Sequence, residues 1–264
     1  MKKYYYVHTG HRIGLDRFRR AVAILNELDD DITLLCSDFR IAQVAKDFGV
    51  EKSVGIDVVR NIPYIAENGD VLIFDSDEAN PIMLEDMKNF FSTFIHVEEN
   101  EIVVDKKFFG NFEKTTKISY FFGDDDYEKD LMKNIDFVDG LNVSLGLGFY
   151  YFLDYEDELR TKFSKCFEFE EYDEMVTTSE ILVTSSPQAV LDALASKTKP
   201  IYFQRENYTH SFNEVFEKLG VPVIYDYNKE KLSEIINNID SINYSEMAEN
   251  SNKVVNMIKN SLNL

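Results

Sequence analysis

Residues 181–203 read "ILVTSSPQAVLDALASKTKPIYF", and this stretch decides the fold class. "ILVT" is a short apolar run that stops at two serines, as a buried strand does. Ser186 suits a helix N-cap and Pro187 the first helical position, where a missing N–H is not needed. "PQAVLDALAS" continues as a helix and "KPIYFQ" as a second strand. Strand, helix and strand in so short a span predict a βαβ unit and therefore parallel pairing.

The alternation extends outward. Upstream, "KISYFFG", "NVSLGLGF" and "KCFEF" read as strands, separated by the helices "DDDYEKDLMKN", "YEDELRTKF" and "EEYDEMVTTS". Downstream come the helix "THSFNEVFEKLG", the strand "VPVIYDY", the helix "KEKLSEIINNI" and a last amphipathic helix in "SEMAENSNKVVNMIKNSL". An earlier series opens the chain. "KYYYVHTG" is a strand ending at a glycine loop, and "RFRRAVAILNEL" a helix with Phe18, Val22, Leu25 and Leu28 on one face and Asp16 available as N-cap. "ITLLCS", "VLIFDS" and "FSTFIHV" are further strands. Between them lie the helices "FRIAQVAKDFG", closed by Gly49, and "PIMLEDMKNF", with Pro81 in its first turn. The mixed, charged segment "EIVVDKKFFGNFEKTTK" separates the two series. The expected fold is α/β: two doubly wound, Rossmann-like parallel-sheet domains, residues 1–114 and 115–264, facing a cleft.

Composition narrows the chemistry. The 264 residues carry 28 Lys+Arg against 48 Asp+Glu, a formal charge of −20, which argues against a nucleic-acid backbone or an anionic membrane as partner. With 44% hydrophobic residues and five prolines the chain can bury a real core. Cys36 and Cys166 are too few for a disulfide framework or a structural zinc site. No apolar stretch reads as a signal peptide or a membrane span, so a reducing cytoplasm is the expected address. Oligomeric state is left open.

Against that acidity, residues 8–20, "HTGHRIGLDRFRR", gather four of the eight arginines and two of the four histidines. This loop and the one at Ser185–Ser186 both follow strands. In open α/β sheets, ligands bind beyond the carboxyl ends of the strands, where the first amides of helices are available to an anion. Ser185 and Ser186 could therefore hold an anion, and Asp192, further along the helix, could reach a ribose diol. The alternative is an ordinary strand–loop–helix junction.

The segments "GHRIGLDRFRRAVAIL", "ISYFFGDDDYEKDLM" and "ILVTSSPQAVLDALASKTKPIYF", followed by "NEVFEKLGVPV", occur in an order and spacing that resemble the pseudaminic-acid pathway UDP-sugar hydrolases. More distantly they resemble the MurG-type glycosyltransferases of the GT-B fold. The resemblance spans nearly the whole chain. It implies a nucleotide-sugar ligand, UDP-linked as in the hydrolases, held by Ser185, Ser186, Asp192 and Asn213 in the C-terminal domain. It also implies an N-terminal domain that carries the acceptor and the catalytic loop.

The chain departs from that family at two places. Where the hydrolases have Ile-Gly-x-Gly-His, with histidine as the proposed base, this chain has "IGLDR", retaining Gly14 and placing Asp16 and Arg17 at the glycine and histidine positions. Arginine does not deprotonate and cannot be a base. Asp16 could serve, but capping a helix competes for it. His11 is the remaining titratable candidate, or else a hydrogen-bonding loop residue. Arg12 and Arg17 are the candidates for substrate contact; Arg19 and Arg20 fit an exposed helix face paired with acids. The second departure is "GDDDYEK" in place of a glycine-rich turn. Three acids here read as a solvated helix start, with a divalent cation as the minority alternative; no metal and no cofactor are expected. His96, His210 and Arg205 stand alone, and a lone loop arginine is commonly solvated. Two hypotheses follow: an enzyme that transfers a sugar from a nucleotide to water or an acceptor, or a non-catalytic descendant that binds the nucleotide-sugar or a protein.

Overall fold

The computed structural model describes residues 1–206, 208–249 and 252–262. The chain divides into two compact units, Met1–Asp105 with Ser251–Leu264, and Lys106–Asn250.

In the first unit, β1 (Lys3–Val7), α1 (Asp16–Leu28), β2 (Ile32–Cys36), α2 (Phe39–Val44), β3 (Ser53–Gly55), α3 (Ile62–Ile65), β4 (Val71–Asp75), α4 (Pro81–Phe90) and β5 (Thr93–His96) follow in order. The five-stranded sheet has the order β3-β2-β1-β4-β5, each neighbouring pair parallel. Every residue of β4 is buried, the continuous pattern of a strand covered on both faces. Tyr6 stacks on Phe74 at 5.4 Å between ring centroids, joining β1 to β4.

The second unit contains β6 (Thr116–Phe121), α5 (Asp130–Lys133), β7 (Ser144–Gly146), α6 (Leu153–Arg160), β8 (Cys166–Phe167), α7 (Tyr172–Thr178), β9 (Ser179–Thr184), α8 (Pro187–Ala195), β10 (Lys199–Phe203), α9 (Asn213–Leu219), β11 (Val223–Ile224) and α10 (Lys229–Asn237). Its six-stranded sheet has the order β11-β10-β9-β6-β7-β8, again parallel throughout. Phe203 packs its ring against Tyr120, Phe122, Phe137 and Tyr227 in the core of this unit.

Both sheets reverse their winding once. The chain builds outward from β1 through β2 to β3, then returns to place β4 on the other side of β1. It builds from β6 through β7 to β8, then returns to place β9 beside β6. The register aligns Val7 with Asp75 and Phe121 with Thr184. The loops beginning at His8 and Ser76 therefore leave their sheet side by side, as do those beginning at Phe122 and Ser185. These are the topological switch points, where doubly wound sheets open a crevice.

Three sequence expectations differ from this structure. The break at 114/115 falls instead at Asp105/Lys106. The 106–115 segment is fastened to the second unit: Lys114 Nζ donates to the carbonyls of Thr177 (2.7 Å) and Ser196 (2.9 Å) and to Thr198 Oγ1 (2.6 Å). The C-terminus does not stay in the second unit either, because α11 (Lys253–Leu262) packs on α1 and β5 of the first. Its Val254, Val255 and Ile258 are buried there, and Lys259 Nζ lies 3.8 Å from Glu27. Third, "DDDYEKDLMKN" is helical only over Asp130–Lys133. Asp126 accepts hydrogen bonds from the amides of Asp130 (2.7 Å) and Leu131 (3.1 Å), which sets the helix start beyond the three acids.

Candidate functional site

The switch point of the first unit is a network of charges. Arg20 and Asp75 form a bidentate pair at its base, Nε to Oδ2 at 3.0 Å and Nη2 to Oδ1 at 2.6 Å. Their side chains are 4% and 1% exposed. Tyr5 donates its hydroxyl to Asp75 Oδ2 at 2.9 Å, and Arg20 Nη1 donates to the Glu99 carbonyl at 2.6 Å. Above them Arg17 Nη2 lies 3.3 Å from both Asp77 and Glu99. His8 follows β1 directly. Its Nδ1 sits 2.8 Å from Asp77 Oδ1, while its Nε2 is 3.8 Å from Glu78, beyond hydrogen-bond reach. An ionised carboxylate only accepts, so Nδ1 carries a proton, and in the neutral tautomer this selects the lone pair is on Nε2. The His8 hydrogen bond, aided by Arg17, holds the Asp77 carboxyl well below the usual carboxylate range.

The sequence-derived candidates occupy the same loop with different neighbours. Gly10 and Gly14 form an isolated antiparallel bridge, and Gly14 takes φ +75°, where a β-carbon would be strained. His11 Nε2 is 2.9 Å from Arg40 Nη2; arginine only donates, so this nitrogen accepts and its lone pair is engaged. Arg40 is itself fixed by Asp38, at 3.1 and 2.6 Å. Asp16 is not the N-cap: Leu15 holds that position without a side-chain hydrogen bond, and Asp16 lies in the first turn. Arg12 is exposed. Arg19 and Arg20, expected on an outer face, are 8% and 3% exposed.

In the second unit Ser186 caps α8 by accepting from the Ala189 amide at 3.1 Å, with Pro187 in the first turn, as the sequence implies. The Ser185 amide reaches the Phe121 carbonyl at 3.4 Å and its hydroxyl donates to Phe122, tying the two switch-point loops together. Asn213 opens α9, its Nδ2 3.0 Å from His210 Nδ1. Asp192 is directed inward. It is 1% exposed and accepts from Tyr172 (2.8 Å) and Gln188 (2.8 Å), so both oxygens serve the packing of α7 and α8 rather than a ribose. Asp192→Ala is accordingly expected to lower stability by about 1–3 kcal/mol, the cost of leaving buried partners unmatched. A thermal midpoint unchanged from the parent would contradict this.

The three aspartates are not solvated: Asp124, Asp125 and Asp126 are 2%, 3% and 5% exposed. Each is turned to different partners. Asp126 receives Tyr155 as well as its two amides, and burial pushes its carboxyl up. Asp125 faces Arg205, and Asp124 accepts from the Phe149 amide at 3.5 Å. Gly148 lets these loops touch: a β-carbon there would lie 2.5 Å from the Gly123 carbonyl oxygen and 2.8 Å from the Asp124 backbone. Among the described residues no set of three His, Cys, Asp or Glu side chains is arranged to hold a metal ion.

No protein-family model and no curated protein sequence matches the chain. Solved structures do. UDP-GlcNAc 2-epimerase of Methanocaldococcus jannaschii, solved in complex with UDP-GlcNAc and UDP, superposes with TM-score 0.59 at 12% identity, covering 100% of this chain and 99% of that one. The glycosyltransferase SnogD of Streptomyces nogalater gives 0.53 at 11%, covering 100% and 95%. The glycotransferase of kitacinnamycin gives 0.55 at 10%, covering 99% and 95%. The fold is GT-B. Within the GT-B frame, sequence reading gave no role to His8, Asp75 or Asp77 and put Arg20 on the outer face. His8 and Asp77 stand 69 residues apart. The available signal was positional: His8 and Asp77 each follow a strand of the same doubly wound unit. Among the described residues, no helix is long and apolar enough to cross a membrane.

Proposed function

We propose that the protein is a nucleotide-sugar enzyme that moves a sugar from a UDP-linked donor to water or to an acceptor hydroxyl, in glycan or nonulosonate biosynthesis. The observation that carries this reading is the His8–Asp77 pair at the switch point of the first unit, with Nδ1 held at 2.8 Å and Nε2 left to take a proton. Such an arrangement orients a general base. His8 Nε2 accepts the proton of the attacking O–H, the oxygen bonds to the anomeric carbon, and the carbon–oxygen bond to the diphosphate breaks to release UDP. The second unit binds the donor nucleotide, its diphosphate near the capped start of α8 and Ser185. A UDP ligand is supported by the archaeal epimerase of this fold, solved with UDP-GlcNAc and UDP. His8 takes the role that sequence assigned to His11, whose Nε2 is engaged by Arg40.

A second reading, binding without turnover, is favoured by Arg17. It stands at the position of the hydrolase histidine and is paired with Asp77 and Glu99. Incubation with UDP-, CMP- and GDP-sugars, with released nucleotide as readout, separates the two. Release of UDP from at least one UDP-sugar is expected. Absence of release together with a UDP-dependent rise in thermal midpoint would select the binding reading, and absence of both would defeat the nucleotide-sugar assignment.

A further inference from the structure

Arg205 is buried in a setting the enzyme reading does not use. It is 9% exposed, with its guanidinium carbon 4.4 Å from the centre of the Phe122 ring and 4.1 Å from that of Tyr208. Its Nη1 and Nη2 each lie 3.3 Å from an oxygen of Asp125, whose carboxylate also accepts from the Tyr208 hydroxyl. Arg205 follows β10, whereas Asp125 lies in the loop after β6, at the switch point.

Gly123 brings the backbone close to this pair. Gly123 has φ +121°, and the position a β-carbon would take there is bordered by Arg205 Nη1 at 3.7 Å, Asp125 Oδ1 at 3.8 Å and Ser185 Oγ at 3.8 Å. A donor, an acceptor and the Ser185 hydroxyl, which donates to the Phe122 carbonyl, thus converge beside the glycine. Tyr151, 8% exposed, adds a buried hydroxyl with no hydrogen-bond partner among the described residues. Burial chiefly, with the fields of Asp126, Tyr155 and Asp125 against that of Arg205, holds this phenol protonated. A buried hydroxyl left unpaired costs free energy that a bound group can recover. The Arg205 guanidinium presents a planar fork suited to carboxylate or phosphate alike.

We propose that Asp125 is a built-in counter-anion, holding the Arg205 guanidinium until the diphosphate of the donor displaces it. This rests on the reading of the second unit as the nucleotide unit. The aspartate matches one oxyanion edge of a diphosphate in shape and carries less charge. It keeps a buried arginine paired in the empty protein and yields to a stronger anion. The consequence is a set point on affinity: apparent binding is reduced by the fraction of molecules in which Arg205 is released.

The test is calorimetric titration of the full chain with inorganic pyrophosphate, UDP and uridine. Asp125→Asn keeps the size of the side chain and removes the competing charge. It is expected to bind pyrophosphate and UDP about tenfold more tightly than the parent, with uridine unchanged. Arg205→Lys is expected to bind pyrophosphate about tenfold more weakly, since an ammonium cannot reproduce the fork. If the parent binds UDP but Asp125→Asn binds pyrophosphate no more tightly, the counter-anion role falls and the enzyme reading stands. If neither parent nor Asp125→Asn binds UDP or pyrophosphate, both fall. Should Asp125→Asn fail to fold, unchanged pyrophosphate affinity in Arg205→Lys overturns the proposal.

Discussion

Replacing Arg20 with alanine is expected to destabilise the first unit by about 3–5 kcal/mol, the cost of leaving one charge of a buried pair behind. Asp75 would remain, 0% exposed, with the Tyr5 hydroxyl as its donor and its bidentate guanidinium replaced only by the more distant Arg17 Nε at 3.8 Å. The Glu99 carbonyl would lose its 2.6 Å donor as well. Urea unfolding followed by circular dichroism measures the loss. A shift below about 1 kcal/mol, the range of an exposed pair, would mean that water reaches this network. The double variant Arg20→Met with Asp75→Leu is expected to recover much of the deficit, because it removes the stranded charge with its partner.

His8→Ala is expected to lower turnover by about 10²-fold or more, the scale on which a general base contributes, with UDP affinity nearly unchanged. The split matters, because a residue that only binds substrate would move affinity instead. Asp77→Asn is expected to fall in the same direction: an amide can offer its N–H to Nδ1 and so favour the wrong tautomer. Since the Asp77 carboxyl is held well below its ordinary range, it stays ionised through neutral pH and keeps its grip on the ring. His11→Ala is expected to leave turnover within a few-fold of the parent. Equal losses in the His8 and His11 variants would return the role to the loop as a whole. A full loss in His11→Ala alone would restore the sequence-based assignment.

The sheets were legible in the sequence because parallel strands buried on both faces are written as continuous apolar runs. "VLIFD" and "ILVT" have few other readings. The cap at Ser186 and Pro187 was legible for a similar reason, since it needs only adjacent residues. What escaped was pairing at a distance. Nothing local to "RFRR" says that Arg20 turns inward, because its reason for doing so, Asp75, lies 55 residues away. The "DDD" segment misled for the same cause. Three consecutive acids look solvated until Tyr155 arrives from α6 and Arg205 and the 149 amide from other loops. His8 was hidden by its neighbour, since resemblance drew attention to the residues aligned with a family motif.

The return of α11 to the first unit sets an order of events during synthesis. The first unit cannot acquire its last buried helix until the whole of Lys106–Asn250 has left the ribosome. At ~5–20 residues per second, that interval lasts about 7–30 s. Throughout it, the surface of α1 and β5 that later receives Val254, Val255 and Ile258 stays uncovered, while the second unit, continuous in the chain, is free to fold alone. The half that carries the proposed base is thus the later to mature, and in a chain released early it would be left with an open apolar seam for chaperones to guard.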